Sequence, residues 1–110
     1  MLRLEKTKEN RSDILSLFGE VDASNSVILD EAIQELVASG TKSLIIDGKN
    51  LEYISSAGLG VFMSYLEDFQ DQEISMKICE LTPRVFEVFR ILGLDQLIPI
   101  YPDRAAAFAE

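Results

Sequence analysis

At 110 residues, 47% of them apolar, the chain fits one domain around one core, expected to span residues 1–110. It has no His, so the commonest general base and the commonest metal ligand are both missing. Against 19 Asp and Glu stand 10 Lys and Arg, a net charge of −9 with no basic run, which argues against a nucleic-acid backbone or an anionic bilayer as partner.

In chain order, Leu2 and Leu4 alternate with Arg3 and Glu5 and predict a strand with one wet face. Lys6 to Asp13 is polar and turn-like. Ile14 to Phe18 predicts a second strand, stopped by Gly19, so the chain is expected to open on a hairpin. Leu29, Ala32, Ile33, Leu36 and Val37 then recur at three-and-four spacing and predict a helix, with Asp22, Ser24 or Asn25 as its cap and Ser39-Gly40 at its end. Leu44-Ile45-Ile46 is a continuous apolar run suited to a strand covered on both faces.

After a polar stretch, Leu51 to Ile54 leads into Ser55-Ser56-Ala57-Gly58-Leu59-Gly60 and a second helix, whose core phase takes in Leu59, Phe62, Met63, Leu66 and Phe69. Ile74, Met76 and Ile78 alternate as a strand. Thr82-Pro83 starts a third helix that buries Val85, Phe86, Phe89 and Leu92 and ends at Gly93. Ile98 to Ile100 predicts a short strand, and Pro102 to Ala109 an Ala-rich helix. The alternation predicts an α/β domain: a mixed, mostly parallel sheet after an N-terminal hairpin, with packed helices.

Cys79 is the one cysteine, which excludes an internal disulfide and a thiolate zinc cluster; without a His partner it reads as a small core residue. No apolar run approaches ~20 residues and Met1 to Lys6 lacks an apolar leader core, so a cytoplasmic protein without a membrane partner is expected.

Residues 55–60 are the stretch that bears chemistry. Two hydroxyls and two glycines sit where a buried strand ends and a helix begins, and a helix start offers unpaired N–H groups suited to an anion. That anion could be a bound phosphate or a phosphoryl group on Ser56. The plainer alternative is that Ser55 or Ser56 caps the helix and the glycines allow close packing. No Lys follows the glycines as a phosphate-binding loop requires, and no third glycine completes a dinucleotide fingerprint.

The chain resembles the STAS domain (sulphate transporter and anti-sigma factor antagonist), in particular the free-standing bacterial anti-sigma factor antagonists. Gly19-Glu20-Val21-Asp22 is similar to the family's Gly-x-Leu-Asp. Leu44-Ile45-Ile46-Asp47 running on to Ser55-Ser56-Ala57-Gly58-Leu59-Gly60 is similar to its strand, Asp and Asp-Ser-Ser/Thr-Gly-Leu-Gly pattern. The resemblance implies a protein-binding switch without enzymatic activity, cofactor or metal. Ser56 would be the phosphorylated serine, Asp22 the acidic residue close to it, and Gly58, Leu59 and Gly60 the start of the partner-facing helix. Ser55 and Ala57 stand where the family usually has Asp and Ser or Thr, and Ser55 is a second candidate acceptor.

The implied partners are an anti-sigma factor that is also a serine kinase of histidine-kinase-like ATPase fold, and a serine phosphatase that restores the unmodified form. The other readings are a STAS scaffold or regulatory subunit that is not phosphorylated, a small-molecule carrier, and a receiver-like domain with Asp47 as acceptor.

Overall fold

The computed structural model describes residues 1–109. Strand β1 (Leu2–Glu9) and strand β2 (Ser12–Val21) form the opening hairpin, followed by helix α1 (Ser26–Ala38), strand β3 (Ser43–Ile54) and helix α2 (Ser56–Asp71). Strand β4 (Ser75–Cys79), helix α3 (Pro83–Ile91), a 3-10 turn at Leu94–Gln96, strand β5 (Ile100–Tyr101) and helix α4 (Arg104–Phe108) complete the described chain. The five strands lie in sequence order, β1 antiparallel to β2 and every later pair parallel. The predicted mixed, mostly parallel α/β sheet is what the chain forms.

Strand alternation divides the core in two. Leu15, Leu44, Ile46 and Ile78 face α1, α2 and α3, which contribute Leu29, Ile33, Leu59, Phe62, Val85 and Phe89. On the opposite face Ile14, Ile45 and Cys79 meet Ala107 of α4. Arg104 pins that short helix: its Nε donates to Asp47 Oδ2 at 2.8 Å and its Nη1 to Glu9 Oε1 at 2.9 Å. Lys77 Nζ donates to the Ala107 carbonyl at 2.8 Å.

Several expectations need correction. The segment 6–13 is not a loop: the turn is only Asn10-Arg11, both with positive φ (51° and 66°), and the strands run up to it on either side. Gly19 does not stop β2. It sits at φ 99° within the strand, at an irregularity in the β2–β3 register. A Cβ there would lie 2.1 Å from the Met1 carbonyl oxygen, which itself accepts from Glu20 N at 3.0 Å.

Polar Asp47 to Asn50 does not interrupt β3, which stays paired with β2 to its end. Met63, Leu92 and Phe86 were expected in the core. Met63 and Leu92 are instead exposed and Phe86 half-buried, because only a narrow stripe of each helix reaches the sheet. The last strand is Ile100–Tyr101, displaced by the 3-10 turn, and α4 begins at Arg104 after the Asp103 cap. Cys79 is fully buried, as expected.

Candidate functional site

The site forms where β2 and β3 end together. Val21 pairs with Ile54, and the Ser55 N–H then donates to the Val21 carbonyl at 2.9 Å. The two chains therefore leave the sheet side by side, one into the loop before α1 and the other into α2.

Ser55 is the N-cap of α2. Its backbone is extended (φ −89°, ψ 173°) and its Oγ accepts from Gly58 N at 3.4 Å. The Ser55 carbonyl opens the helical hydrogen-bond ladder by accepting from Leu59 N at 3.0 Å. Ser56 is the first helical residue and is exposed, so its hydroxyl is free of the capping task that occupies its neighbour. Ala57 is half-buried, and Gly58 and Leu59 are buried.

The two glycines of α2 differ. A Cβ on Gly58 would stand 2.7 Å from both Val21 Cγ1 and Ile54 Cγ1, so the bare backbone lets the helix seat on the two strand ends. A Cβ on Gly60 would meet nothing within 4 Å.

Asp22 lies directly after β2, at the same end of the sheet as Ser56. Its Oδ1 accepts from Ser24 N at 2.9 Å and from Ser24 Oγ at 2.5 Å. Asp22 N donates to Asn25 Oδ1 at 2.9 Å, and Asn25 Nδ2 donates to the Glu20 carbonyl at 3.0 Å. Asn25 thus serves as the α1 N-cap by position while its side chain braces the loop behind it. The Ser24 side-chain and backbone hydrogen bonds hold the Asp22 carboxyl below the usual carboxylate range, so it is ionised at neutral pH. The structure therefore brings Asp22 and Ser56 to one end of the sheet, with the carboxylate turned to Ser24. Ser24 and Asn25 as the groups that fix Asp22 were missed from sequence, although the run Asp-x-Ser-Asn carries the polar side chains such a turn uses.

Asp47 belongs elsewhere. It is buried within β3, where it accepts from Arg104 Nε and from Lys49 N at 2.9 Å, a structural carboxylate with no open face. No group of three or more Cys, Asp or Glu among the described residues is placed to hold a metal ion, and none of their helices is long and apolar enough to cross a membrane.

The hairpin-led, mostly parallel sheet, with α2 starting directly from the end of its central strand, is the fold of a STAS domain. The chain belongs to that family, whose profile matches residues 4–107. The anti-sigma-B factor antagonist of Bacillus subtilis is 34% identical over 94 residues, covering 84% of this chain and 85% of that protein. An anti-sigma factor antagonist from Mycobacterium paratuberculosis has the same fold, with a TM-score of 0.91 at 24% identity, over 99% of this chain and 92% of that one. The Bacillus cell fate determinant SpoIIAA in its phosphorylated form is also similar, with a TM-score of 0.69 at 18% identity over 97% and 96% of the two chains.

Proposed function

We propose that this chain is a cytoplasmic anti-sigma factor antagonist, a one-domain protein-binding switch rather than an enzyme, set by phosphorylation of Ser56. Unmodified, it holds an anti-sigma factor that is also a serine kinase of histidine-kinase-like ATPase fold, and a sigma factor goes free. The kinase then transfers a phosphoryl group to Ser56, and a serine phosphatase resets it.

The observation that carries this reading is the division of labour between the two serines. Ser55 is half-buried and engaged as the cap, whereas Ser56 is exposed at the first position of a sixteen-residue helix. In the transfer, Ser56 Oγ attacks the γ-phosphorus of ATP, the bond to the β-phosphate oxygen breaks, ADP leaves and the hydroxyl proton passes to a base of the kinase.

The product adds about −1.5 to −2 charges at pH 7. On its own helix that charge is favourable by about 0.3–1 kcal/mol. Within a closed interface it adds to the charge of ionised Asp22 at the same end of the sheet and meets the phosphates of the bound ADP, in surroundings where repulsion is poorly screened. A mismatch of about 1.4 kcal/mol already weakens binding tenfold. The fold thus tolerates the modification that the complex does not.

The test is incubation with ATP and a purified anti-sigma factor kinase from the same organism, followed by mass spectrometry of the peptide around α2's start. Phosphate on Ser56, with release of the kinase, is expected. Stable capture of a partner without phosphate on either serine would replace the switch with the scaffold reading.

A further inference from the structure

Strand β3 runs from Ser43 to Ile54, but its neighbour β4 stops at Cys79, opposite Asp47. From Lys49 to Ile54, β3 therefore has β2 on one side and no strand on the other among the described residues. No backbone hydrogen bond from the loop after β4 or from α3 closes that side. Successive residues of a strand direct their N–H and C=O groups to alternate sides, so about three of the six offer theirs to the open side.

The outer edges of the sheet are guarded. β5 has two residues, with Pro99 and Pro102 at its ends, and β1 carries Arg3, Glu5, Lys6 and Lys8 along its length. The open stretch of β3 instead borders a cleft of about 630 Å3, with Thr82 and Arg84 at the start of α3 as its other wall. At the foot of this slot Leu81 closes on Gly48, where a Cβ would stand 2.5 Å from Leu81 Cδ2. Lys49 and Arg84 are the cations of the cleft. Both are exposed, and neither has an ion-pair partner among the described residues. Glu52 is the one acid lining it, so the slot is basic in a chain of net charge −9.

We infer that this slot takes an extended, acidic segment of a partner protein as an added strand beside β3, in line with β4, with the segment's carboxylates on Lys49 and Arg84. About six residues at 3.3 Å each cover the stretch from Lys49 to Ile54. Main-chain hydrogen bonds supply the affinity and the two cations choose the side chains. A small anion would engage the cations and leave the open carbonyls of β3 unmatched. A second copy of this chain is disfavoured, because two such edges paired about a two-fold axis would bring their Lys49 and Arg84 side chains together. The inference does not depend on phosphorylation of Ser56.

The probe is the blocked hexapeptide Thr-Glu-Val-Glu-Val-Thr, whose two carboxylates share one face of a strand. It is titrated into the whole chain at about 150 mM salt, where only close charges act strongly, and followed through the backbone amide NMR signals. Shifts are expected at residues 49–54 and 82–84, with binding at least tenfold weaker in Lys49→Glu and Arg84→Glu and unchanged in Ser56→Ala. Thr-Lys-Val-Lys-Val-Thr should not bind. Two further peptides carry N-methyl groups on both glutamates or on both valines, each blocking one edge of the added strand. One should lose binding and the other keep it. The same result for both, whichever it is, would overturn strand addition without relying on any variant of the protein. So would shifts confined to another face, equal binding of the lysine peptide, or no binding to the wild-type chain. Each of these failures would leave the proposed switch at Ser56 untouched.

Discussion

The backbone N–H of Ser55 donates to the carbonyl of Val21 across 2.9 Å, one residue before the exposed Ser56 on one side and one residue before Asp22 on the other. A single main-chain bond thus sets the spacing of an ionised carboxylate and a free hydroxyl that lie far apart in sequence. Neither side chain has to reach for the other. The strand ends place them.

Ser56→Glu should weaken kinase binding tenfold or more, about 1.4 kcal/mol, while Ser56→Ala binds normally and no longer responds to ATP. Melting should hardly change with the acidic residue, because a negative group at a helix start is favourable. Ser55→Ala should show the reverse. It removes the cap of α2 and costs the fold about 1 kcal/mol, yet phosphate should still arrive on Ser56. Calorimetry, melting and phosphopeptide mapping of the three variants separate these effects. Full phosphorylation of Ser56→Ala at Ser55 would reassign the acceptor.

Gly58→Ala should destabilise the protein. The new methyl would press on Val21 and Ile54 at 2.7 Å, and both are β-branched side chains with little rotamer freedom. Overpacking of this kind costs about 1–3 kcal/mol, more than the gain of about 1 kcal/mol from replacing a helical glycine. Urea unfolding should show a lower midpoint with an unchanged slope. A midpoint at or above wild type would mean that the strand ends yield easily.

The Asp22 carboxyl titrates lower in the folded chain than in the unfolded one, through its Ser24 hydrogen bonds. Its contribution to stability is therefore present above the unfolded value of about 3.9. It is lost as pH falls through the folded value, because the unfolded state then binds the proton more readily. Asp22→Asn should flatten the acid limb of a stability-against-pH curve, because it lowers stability at neutral pH and leaves stability below the folded value nearly unchanged. An identical acid limb in variant and wild type would show that the Ser24 contacts do not persist in solution.

Burial first, then the nearby Asp47 carboxylate, pushes the Cys79 thiol up to about 12. The thiol should resist a disulfide reagent at pH 8 until the protein unfolds, since the thiolate is the reactive form. Arg104→Ala should release that protection. It breaks the ion pairs to Asp47 and Glu9, costs about 1–3 kcal/mol and loosens the helix that covers Cys79. Labelling at wild-type rate in this variant would show that Ala107 packing and the Lys77 bond hold α4 alone.

The order of strands and helices was legible because each main segment keeps one period: alternation in 74–78, three-and-four spacing in 29–37 and 82–92. The hidden parts lay where side chains did not report the backbone. Lys6 to Glu9 form an edge strand wet on both faces, so nothing apolar marks it. Lys49, Asn50 and Glu52 are polar because β3 runs on past the end of β4, where it is paired on one side only. At the site, the Ser-Ser-Ala-Gly-Leu-Gly run located the start of α2 to within one residue. Which serine caps and which is free depends on the backbone angle at Ser55, which sequence does not state. The exposure of Met63 was equally hidden, since its helical phase is that of a core residue.

The Asn10-Arg11 turn joins two strands that need only fold back on each other, whereas β3 reaches β2 across the whole of α1. Contacts close in sequence form quickly and parallel pairs across a crossover form late. During synthesis the hairpin can close while residues 43–54 are still being made, and the Val21–Ser55 bond must wait for them. The first turn of α2, with one serine held and the other offered to solvent, thus belongs to the finished fold and not to the peptide, and an unfolded or half-made chain offers two equivalent hydroxyls instead of one.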